Sequence, residues 1–237
     1  MIDDYAVWQK ARDRAVWAPR GLASLAATDW LDATPRPAAA APGLWHTDGL
    51  AAIGSGEGLP GTVALAPGDA LAIGDLELRG FARDGALALR VFDPQAAARR
   101  GISHIVRAAY DPALVAPAVF SRTPTHEAAE SVDGHRADTT YDGVVSFALG
   151  GADLGLTLDV LDDGSLFAAF SDATSGSESY RFRFLRIAAP AADGTTTVDL
   201  NRAYLPPCAF SDHYVCVFPP AGNRWTVPVR GGELVVR

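Results

Sequence analysis

The sequence is poor in several residue types that mark particular classes of protein. Lys10 is its only lysine among 20 basic residues, and it has 2 cysteines in 237 residues. No apolar run approaches the roughly 20 residues that a membrane-spanning helix needs. The first 17 residues, MIDDYAVWQKARDRAVW, lack the apolar stretch flanked by positive charge that marks a secretory signal. We therefore predict a cytoplasmic protein with no membrane segment.

The charge balance and the missing phosphate motifs exclude further classes. The formal net charge is −8 and the pI is about 5.0, which disfavours binding to a nucleic-acid backbone or to an anionic membrane surface. The sequence has no GxxxxGK[ST] loop and no strand-linked GxGxxG. We predict no cofactor and no nucleic-acid partner, while the oligomeric state is left open.

Short apolar runs separated by glycine and aspartate turns dominate the chain from Leu44 onward. Gly74-Asp75 and Asp84-Gly85 are hairpin signals. Strands are predicted over ALALRVF, GVVSFAL, LGLTLDVL, LFAAF, SYRFRFLRI, TTTVDL and WTVPVR. Within SYRFRFLRI, the alternation puts Arg181 and Arg183 on the face opposite the aromatic residues. Strands at such intervals are typical of a sandwich or barrel.

Helical patterns are confined to short segments. The stripe of apolar residues near the N-terminus predicts a helix that ends before Pro19, and LASLAATDWL is predicted as a second short helix. DPQAAARR predicts a further short helix, and residues 121–143 are interpreted as a polar surface excursion. The predicted fold is all-β, a mainly antiparallel sandwich or barrel with one or two short N-terminal helices.

The domain prediction follows the change in composition at the proline- and alanine-rich connector, Asp32 to Gly43. Residues 1–43 are predicted as a helical segment and connector. Residues 44–237 are predicted as the β-rich domain, either undivided or as two sub-domains, 44–100 and 101–237.

The two cysteines raise the question of a metal site. Cys208, His213 and Cys216 are spaced as C-x4-H-x2-C, and zinc accepts these ligand types. The spacing matches no strong zinc template, and paired CxxC motifs are missing. In a reducing cytoplasm, thiols are expected rather than a disulfide. We predict no metal and interpret both cysteines as packing residues, with zinc and a disulfide as the alternatives.

The serine-rich segment DATSGSESY is a weak candidate for a nucleophile. It does not match the G-x-S-x-G elbow, and no helical pattern follows it. Asp172, Thr174 and Ser175 are better interpreted as a turn in which short polar side chains bond to their own backbone.

A polar cluster near the C-terminus is the strongest candidate for a binding site. Within 35 residues it contains Asp199, Asn201, Arg202, Asn223, Arg224, Arg230 and Glu233. Arginines that converge on a cavity would select a carboxylate or phosphate. The structural alternative is that these side chains pair with each other across the sheet.

The C-terminal third also resembles a known family. FSDATSGSESYRFRFL and DLNRAYLPPCAFSDHYVCVFPPAGNRWTVPVRGGE are similar to the bacterial and archaeal domain-of-unknown-function family 1684. The matching positions are Phe170, Asp172, Thr174 to Gly176, Ser179-Tyr180, Arg183 to Leu185, Asp199, Asn201 to Ala203, Cys208 to Ser211, Cys216, Pro219-Pro220, Asn223-Arg224 and Gly232-Glu233.

The upstream LALRVFDPQA also resembles the family's R-V-x-D-P. Leu200, Val217 and Trp225 depart from the family pattern, which has Phe, Pro and Leu there. The resemblance supports the fold, adds no mechanism, and implies that Arg202, Asn223, Arg224 and Glu233 belong to one motif.

Three functional hypotheses follow. The first is a β-domain that binds a small anionic molecule through a pocket lined by Tyr180, Asn201, Arg202, Asn223 and Arg224. The second is a metal-independent enzyme, of the hydrolase or isomerase type, on a small anionic substrate. Asp199, Glu178 and His213 would then transfer protons. The third is a protein-interaction module that uses exposed tryptophans around Trp30 and Trp45.

Overall fold

The computed structural model of the protein describes residues 2–237, with side chains from Asp4 onward. The chain divides into two compact units. Unit 1 holds residues 103–209 and 215–237 together with the first residues, up to Ala6, and unit 2 holds residues 7–102 and 210–214. The helices are α1 (Ile2–Trp17) and α2 (Ala96–Arg99). No described helix is long and apolar enough to cross a membrane.

Unit 2 contains two four-stranded antiparallel sheets. Its strands are β1 (Leu25–Trp30), β2 (Arg36–Pro37), β3 (Leu44–Thr47), β4 (Ala52–Ser55), β5 (Val63–Leu65), β6 (Ala70–Ile73), β7 (Leu76–Arg83) and β8 (Ala86–Phe92). The strand orders are β1-β8-β7-β6 and β2-β3-β4-β5. The predicted turns at Gly74-Asp75 and Asp84-Gly85 join β6 to β7 and β7 to β8. Asp84 and Gly85 both have positive φ, as a two-residue hairpin turn requires.

Unit 1 contains a six-stranded antiparallel sheet, a hairpin and a two-stranded pair. Its strands are β9 (Ile105–Arg107), β10 (Val115–Ser121), β11 (Thr125–Glu130), β12 (Arg136–Tyr141), β13 (Gly143–Leu149), β14 (Ala152–Val160), β15 (Leu166–Phe170), β16 (Arg183–Ile187), β17 (Thr195–Asp199) and β18 (Glu233–Val236). The large sheet runs β16-β15-β14-β13-β10-β17, while β11 pairs with β12 and β18 with β9. Short 3-10 turns occur at Leu22–Ser24, Pro112–Leu114, Leu200–Arg202, Pro207–Ala209 and Ala221–Asn223.

Alternation along the strands determines which side chains enter the core of unit 1. On β14, Leu156 and Leu158 are buried in the hydrophobic core, while Thr157 and Asp159 point to the opposite face. This opposite face carries the candidate site. The antiparallel, all-β fold with an N-terminal helix confirms the predicted fold class, and the β13-β14-β15 meander confirms the predicted spacing.

Two predicted elements are wrong. The predicted second helix is strand β1, because Leu25 and Ala27 are buried and the segment pairs with β8, which overrides the helix preference of leucine and alanine. The predicted strand WTVPVR is irregular. Pro228 has no N–H for a ladder, and the Val229 N–H donates to the Asp172 carboxylate at 3.1 Å instead.

The segment 121–143 contains more regular structure than the sequence predicted. It forms the hairpin β11-β12, with Glu127 opposite Thr139 and Glu130 opposite Arg136. Most of its side chains are exposed, as the surface interpretation expects. The hairpin covers one face of the candidate site.

The two tryptophans of the interaction hypothesis lie in unit 2. Trp45 is fully buried opposite Gly54, where an added Cβ would lie 2.6 Å from the indole ring. Trp30 is half-buried, with its ring 5.8 Å from that of Phe81. The interaction module stays a prediction.

Candidate functional site

Asp199, Asn201 and Arg202 bond mainly to one another and to neighbouring scaffold. The Asn201 side chain is buried, and its Oδ1 accepts from the Asp111 N–H at 2.8 Å while its Nδ2 donates to the Asp111 carbonyl at 2.9 Å. Arg202 pairs with Asp199 at 3.2 Å and with Asp4 at 2.5 Å. These contacts agree with the structural alternative, in which the polar side chains pair with each other rather than face a ligand.

The remaining predicted acid–base residues are Glu178 and His213. Glu178 forms a two-point pair with Arg230 at 2.7 and 2.8 Å, and the exposed pair holds the pKa of Glu178 below its ordinary value. A carboxyl with a lowered pKa is a weak base at neutral pH. His213 is exposed in unit 2, where its carbonyl accepts a hydrogen bond from Thr28. Among the residues that the structure describes, no group of three His, Cys, Asp or Glu could hold a metal ion.

Cys208 and Cys216 both lie in unit 1. Cys208 and Cys216 are free and buried, and the Cys208 N–H donates to Cys216 Sγ at 3.4 Å. The half-buried Tyr180 donates its hydroxyl proton to the Cys208 carbonyl at 3.0 Å. A hydrogen bond from Cys216 lowers the pKa of Cys208 to about 7, assisted by Tyr180 and Arg181.

Asn223 joins two strands of the large sheet with its side-chain amide. Its Oδ1 accepts from the Thr157 N–H at 2.7 Å, and its Nδ2 donates to the carbonyls of Thr157 and Ala169 at 2.7 and 2.8 Å. The β14-β15 ladder ends at Asp159 and Phe167, and Thr157 and Ala169 would face each other two residues further along the same register. The amide therefore bridges the strands where their own pairing stops.

This bridge fixes the loop that carries Arg224. The Arg224 guanidinium donates from Nε and Nη2 to the Pro219 carbonyl at 3.1 and 3.0 Å. Two of the five guanidinium N–H groups are used in this way, and three remain for a ligand. Among the described residues, Arg224 forms no ion pair.

Arg224 lines a cavity of about 520 Å³ on unit 1, which we call the arginine cavity. The residues that line it include Glu127, Glu130, Tyr141, Arg181, Phe218 and Arg224. The guanidinium carbon of Arg181 lies 5.3 Å from the centre of the Phe218 ring, and within the described chain Arg181 makes no ion pair. Of the predicted ligand-binding residues, Arg224 lines this cavity.

The carboxylates of the arginine cavity are partly compensated. Glu130 pairs with Arg136 through contacts of 2.9 and 3.1 Å. Glu127 has no ion-pair partner among the described residues. The two guanidinium groups therefore outnumber the one uncompensated carboxylate, and the cavity favours an anion.

A second, smaller cavity of about 170 Å³ adjoins the first, and we call it the apolar cavity. Its lining includes Tyr141, Asp159, Phe167, Phe184, Val217 and Phe218. The rings of Phe167 and Phe184 pack edge to face, with their centroids 4.9 Å apart. The two cavities share Tyr141, Phe218 and Pro220.

Asp159 is the acidic group of the apolar cavity. Burial raises the pKa of Asp159 above its ordinary value, and the nearby Asp142 carboxylate raises it further. Burial likewise raises the pKa of Tyr141 to about 12, with contributions from Glu127 and Asp159. A carboxyl with a raised pKa beside an apolar wall is a candidate proton donor.

The β11-β12 hairpin is held over these cavities by residues 216–218. The Phe218 N–H donates to the Glu130 carbonyl at 2.8 Å, and the Val132 N–H donates to the Cys216 carbonyl at 2.9 Å. Ser131 and Val217 form an isolated antiparallel bridge. Residues 216–218 therefore position the hairpin that covers the two cavities.

Several site residues were missed by the sequence reasoning, although some signals existed. Asp133-Gly134 is a hairpin signal and would have predicted β11-β12, with Glu127 and Tyr141 on it. Alternation along β14 already places Asp159 on the non-core face. Nothing in the sequence pattern indicates that these strands and the Arg224 loop meet.

The fold and the two cavities define an all-β protein with a polar, arginine-bearing cavity beside an apolar one in unit 1. A family model described as "Protein of unknown function (DUF1684)" matches residues 101–234, and the chain belongs to this family. The chain is also similar to the solution NMR structure of an uncharacterized protein from Haloarcula marismortui, with 28% identity and a TM-score of 0.45 over 57% of this chain and 78% of that one. No curated protein matches the chain.

Proposed function

We propose that the protein binds a small anionic molecule in the arginine cavity. The guanidinium groups of Arg181 and Arg224 hold its carboxylate or phosphate. The supporting observation is that two arginines without ion pairs among the described residues line one cavity. Arginines elsewhere in unit 1, such as Arg183, Arg186 and Arg230, pair with carboxylates.

The geometry of Arg224 supports the same proposal. Its hydrogen bonds to the Pro219 carbonyl fix the guanidinium before a ligand arrives, so little side-chain entropy is lost on binding. The planar guanidinium matches the geometry of carboxylate and phosphate groups. Arg181 lies against Phe218, which also lines the cavity.

Titration with inorganic phosphate tests the proposal. Arg181→Gln and Arg224→Gln should each weaken binding about 10- to 100-fold, since a hydrogen bond to a charged group contributes roughly 1.5–3 kcal/mol. Arg230→Gln is the control, because it removes the same charge from an exposed pair with Glu178. Isothermal titration calorimetry at low salt gives the dissociation constants. Equal constants for all three variants and the parent protein would refute the proposal.

Asp159 favours a second candidate function, in which the same molecule is a substrate. Its half-buried carboxyl lines the apolar cavity beside Phe167 and Phe184 and has a raised pKa. Such a group can donate a proton to the leaving oxygen of a phosphate ester while a water molecule attacks the phosphorus, and this donation contributes about 10²- to 10⁴-fold to the rate. The candidate bases predicted from the sequence, Asp199, Glu178 and His213, stay predictions.

The catalytic candidate is tested with phenyl phosphate, which joins a phosphate to one aromatic ring and whose leaving oxygen needs a proton. If Asp159 protonates that oxygen while a water molecule attacks the phosphorus, Asp159→Asn should slow release of phenol by at least about 100-fold. The affinity for inorganic phosphate should stay unchanged in this variant. Parent protein that releases no phenol above the buffer rate would exclude this reaction and leave the binding proposal intact.

A further inference from the structure

We infer that the ligand is an amphipathic anion: a carboxylate or phosphate group joined to one aromatic ring or a short aliphatic chain. The anionic group lies in the arginine cavity, and the ring or chain lies in the apolar cavity. This inference rests on the proposed function, because it extends the anion site by its adjoining cavity.

The adjacency of the two cavities is the first argument. Tyr141, Phe218 and Pro220 line both of them. A molecule whose anionic group meets Arg224 can therefore lie against these shared residues and place its other end among apolar side chains. Free phosphate alone would leave the apolar cavity unused.

The second argument is the chemistry of the apolar cavity. Phe167, Phe184, Val217 and Phe218 contribute aromatic and aliphatic surface. Phe167 and Ala169 lie on the non-core face of β15, so this apolar surface is not part of the main core of unit 1. Apolar surface that lies outside the core and faces a cavity is typical of ligand sites.

The third argument is size. The apolar cavity measures about 170 Å³. In other proteins, an apolar cavity of roughly 150 Å³ takes up one benzene molecule. The cavity therefore accommodates a single ring or a chain of about six carbon atoms.

A series of straight-chain carboxylates from acetate to decanoate tests the inference. Each methylene that enters the cavity should tighten binding about fourfold, which corresponds to about 0.8 kcal/mol per buried methylene. The gain should stop after about six carbon atoms, when the cavity is full. Isothermal titration calorimetry measures the dissociation constants. Phenyl phosphate and 3-phenylpropanoate, compared in the same way, identify which anionic group binds more tightly.

A variant that fills the apolar cavity, compared with a matched control, tests the inference a second time. Ala169→Leu places a larger side chain in the apolar cavity, while Ala148→Leu makes the same change at an exposed position on the same face of the sheet. Ala169→Leu should abolish the chain-length dependence and leave acetate affinity unchanged, and Ala148→Leu should change neither. Val217→Phe, at a residue that is 40% exposed, is the second cavity variant if Ala169→Leu does not fold.

The outcomes separate the two proposals. Affinity that rises with chain length and is flattened by Ala169→Leu or Val217→Phe supports the inference. Affinity that is independent of chain length but is lost in Arg224→Gln overturns the inference and leaves the anion site. Affinity that depends on neither chain length nor Arg224 overturns both.

Discussion

Arg183 donates a 2.7 Å hydrogen bond to Asp172, and neither side chain is exposed to solvent. Arg183 also donates to the carbonyls of Gly231 and Val229 at 2.6 and 2.8 Å. Asp172 accepts from the Thr174 N–H and hydroxyl at 2.8 and 2.7 Å. The pair therefore joins the turn predicted around Asp172 to the start of β16 and to the irregular segment before β18.

We expect Arg183→Met to lower the free energy of unfolding by about 3–5 kcal/mol, because it leaves the Asp172 carboxylate buried without its partner. Urea unfolding, followed by tryptophan fluorescence, measures the change. Arg186→Met is the control, since it breaks an exposed pair with Asp163 and should cost less than about 1 kcal/mol. Similar losses in the two variants would contradict a special role for the buried pair.

The same pair should make the fold sensitive to acid. Burial alone would raise the pKa of Asp172, but Arg183 and the hydrogen bonds from Thr174 hold it below the ordinary value. A carboxyl with a lower pKa in the folded state stabilises the fold above its unfolded pKa of about 4, and this stabilisation is lost as pH falls through the folded pKa. Thermal unfolding across this range should show a shallower acid dependence in Asp172→Asn.

Asn223→Asp should destabilise unit 1 and also disturb anion binding. The substitution removes both donors to the Thr157 and Ala169 carbonyls, so we expect a loss of about 3 kcal/mol. Because Asn223 fixes the Arg224 loop, phosphate affinity should fall even at temperatures where the variant is folded. Thr226→Ala, at an exposed neighbour, should leave both stability and affinity unchanged.

Cys208 should make the protein more stable as pH rises from about 7 to about 9. The hydrogen bond from Cys216 lowers the pKa of Cys208 to about 7 in the fold, against 9.0 for an ordinary thiol. A group with a lowered folded pKa stabilises the fold increasingly between the folded and unfolded values. Urea midpoints of the parent protein and Cys208→Ser, compared over this range, measure the effect. Parallel pH profiles would show that the thiol does not ionise in the fold.

Asp159 should make the protein less stable as pH rises, the opposite of the effect expected from Cys208. Its pKa is raised, so the folded state favours the protonated form, and stability falls as pH rises from about 4 through the folded pKa. We expect Asp159→Asn to raise the free energy of unfolding at neutral pH by about 0.5 kcal/mol at most, because water screens a half-buried carboxyl. Differential scanning calorimetry at acidic and neutral pH measures the difference. A variant that is less stable than the parent at neutral pH would contradict the prediction.

Strand-level features were largely predictable because turns and alternation are local. Gly143–Leu149 and Leu166–Phe170 coincide with the predicted strands. The segment Leu25–Trp30 was mispredicted as helix because its pairing partner, Ala86–Phe92, is remote in sequence. Local propensity does not contain such pairings.

The candidate site was less predictable than the fold. The C-terminal polar cluster correctly drew attention to the loop that carries Arg224, but Asn201 and Asn223 bond to backbone and Arg202 bonds to carboxylates. Sequence distance gives no information on whether a guanidinium meets a carboxylate or a cavity. Arg181 and Arg183 show this most clearly, since one is exposed and the other is fully buried.

The Asn223 bridge makes a single backbone proton a measure of loop opening. The Thr157 N–H lies past the last β14-β15 pair, and its acceptor is a side chain of the Arg224 loop. Its exchange with deuterated water therefore requires that loop to separate from the sheet, and the exchange rate gives the free energy of that separation. An anion that binds Arg224 without touching Thr157 should slow the exchange at Thr157, so one amide signal can report both the rigidity of the loop and its occupancy.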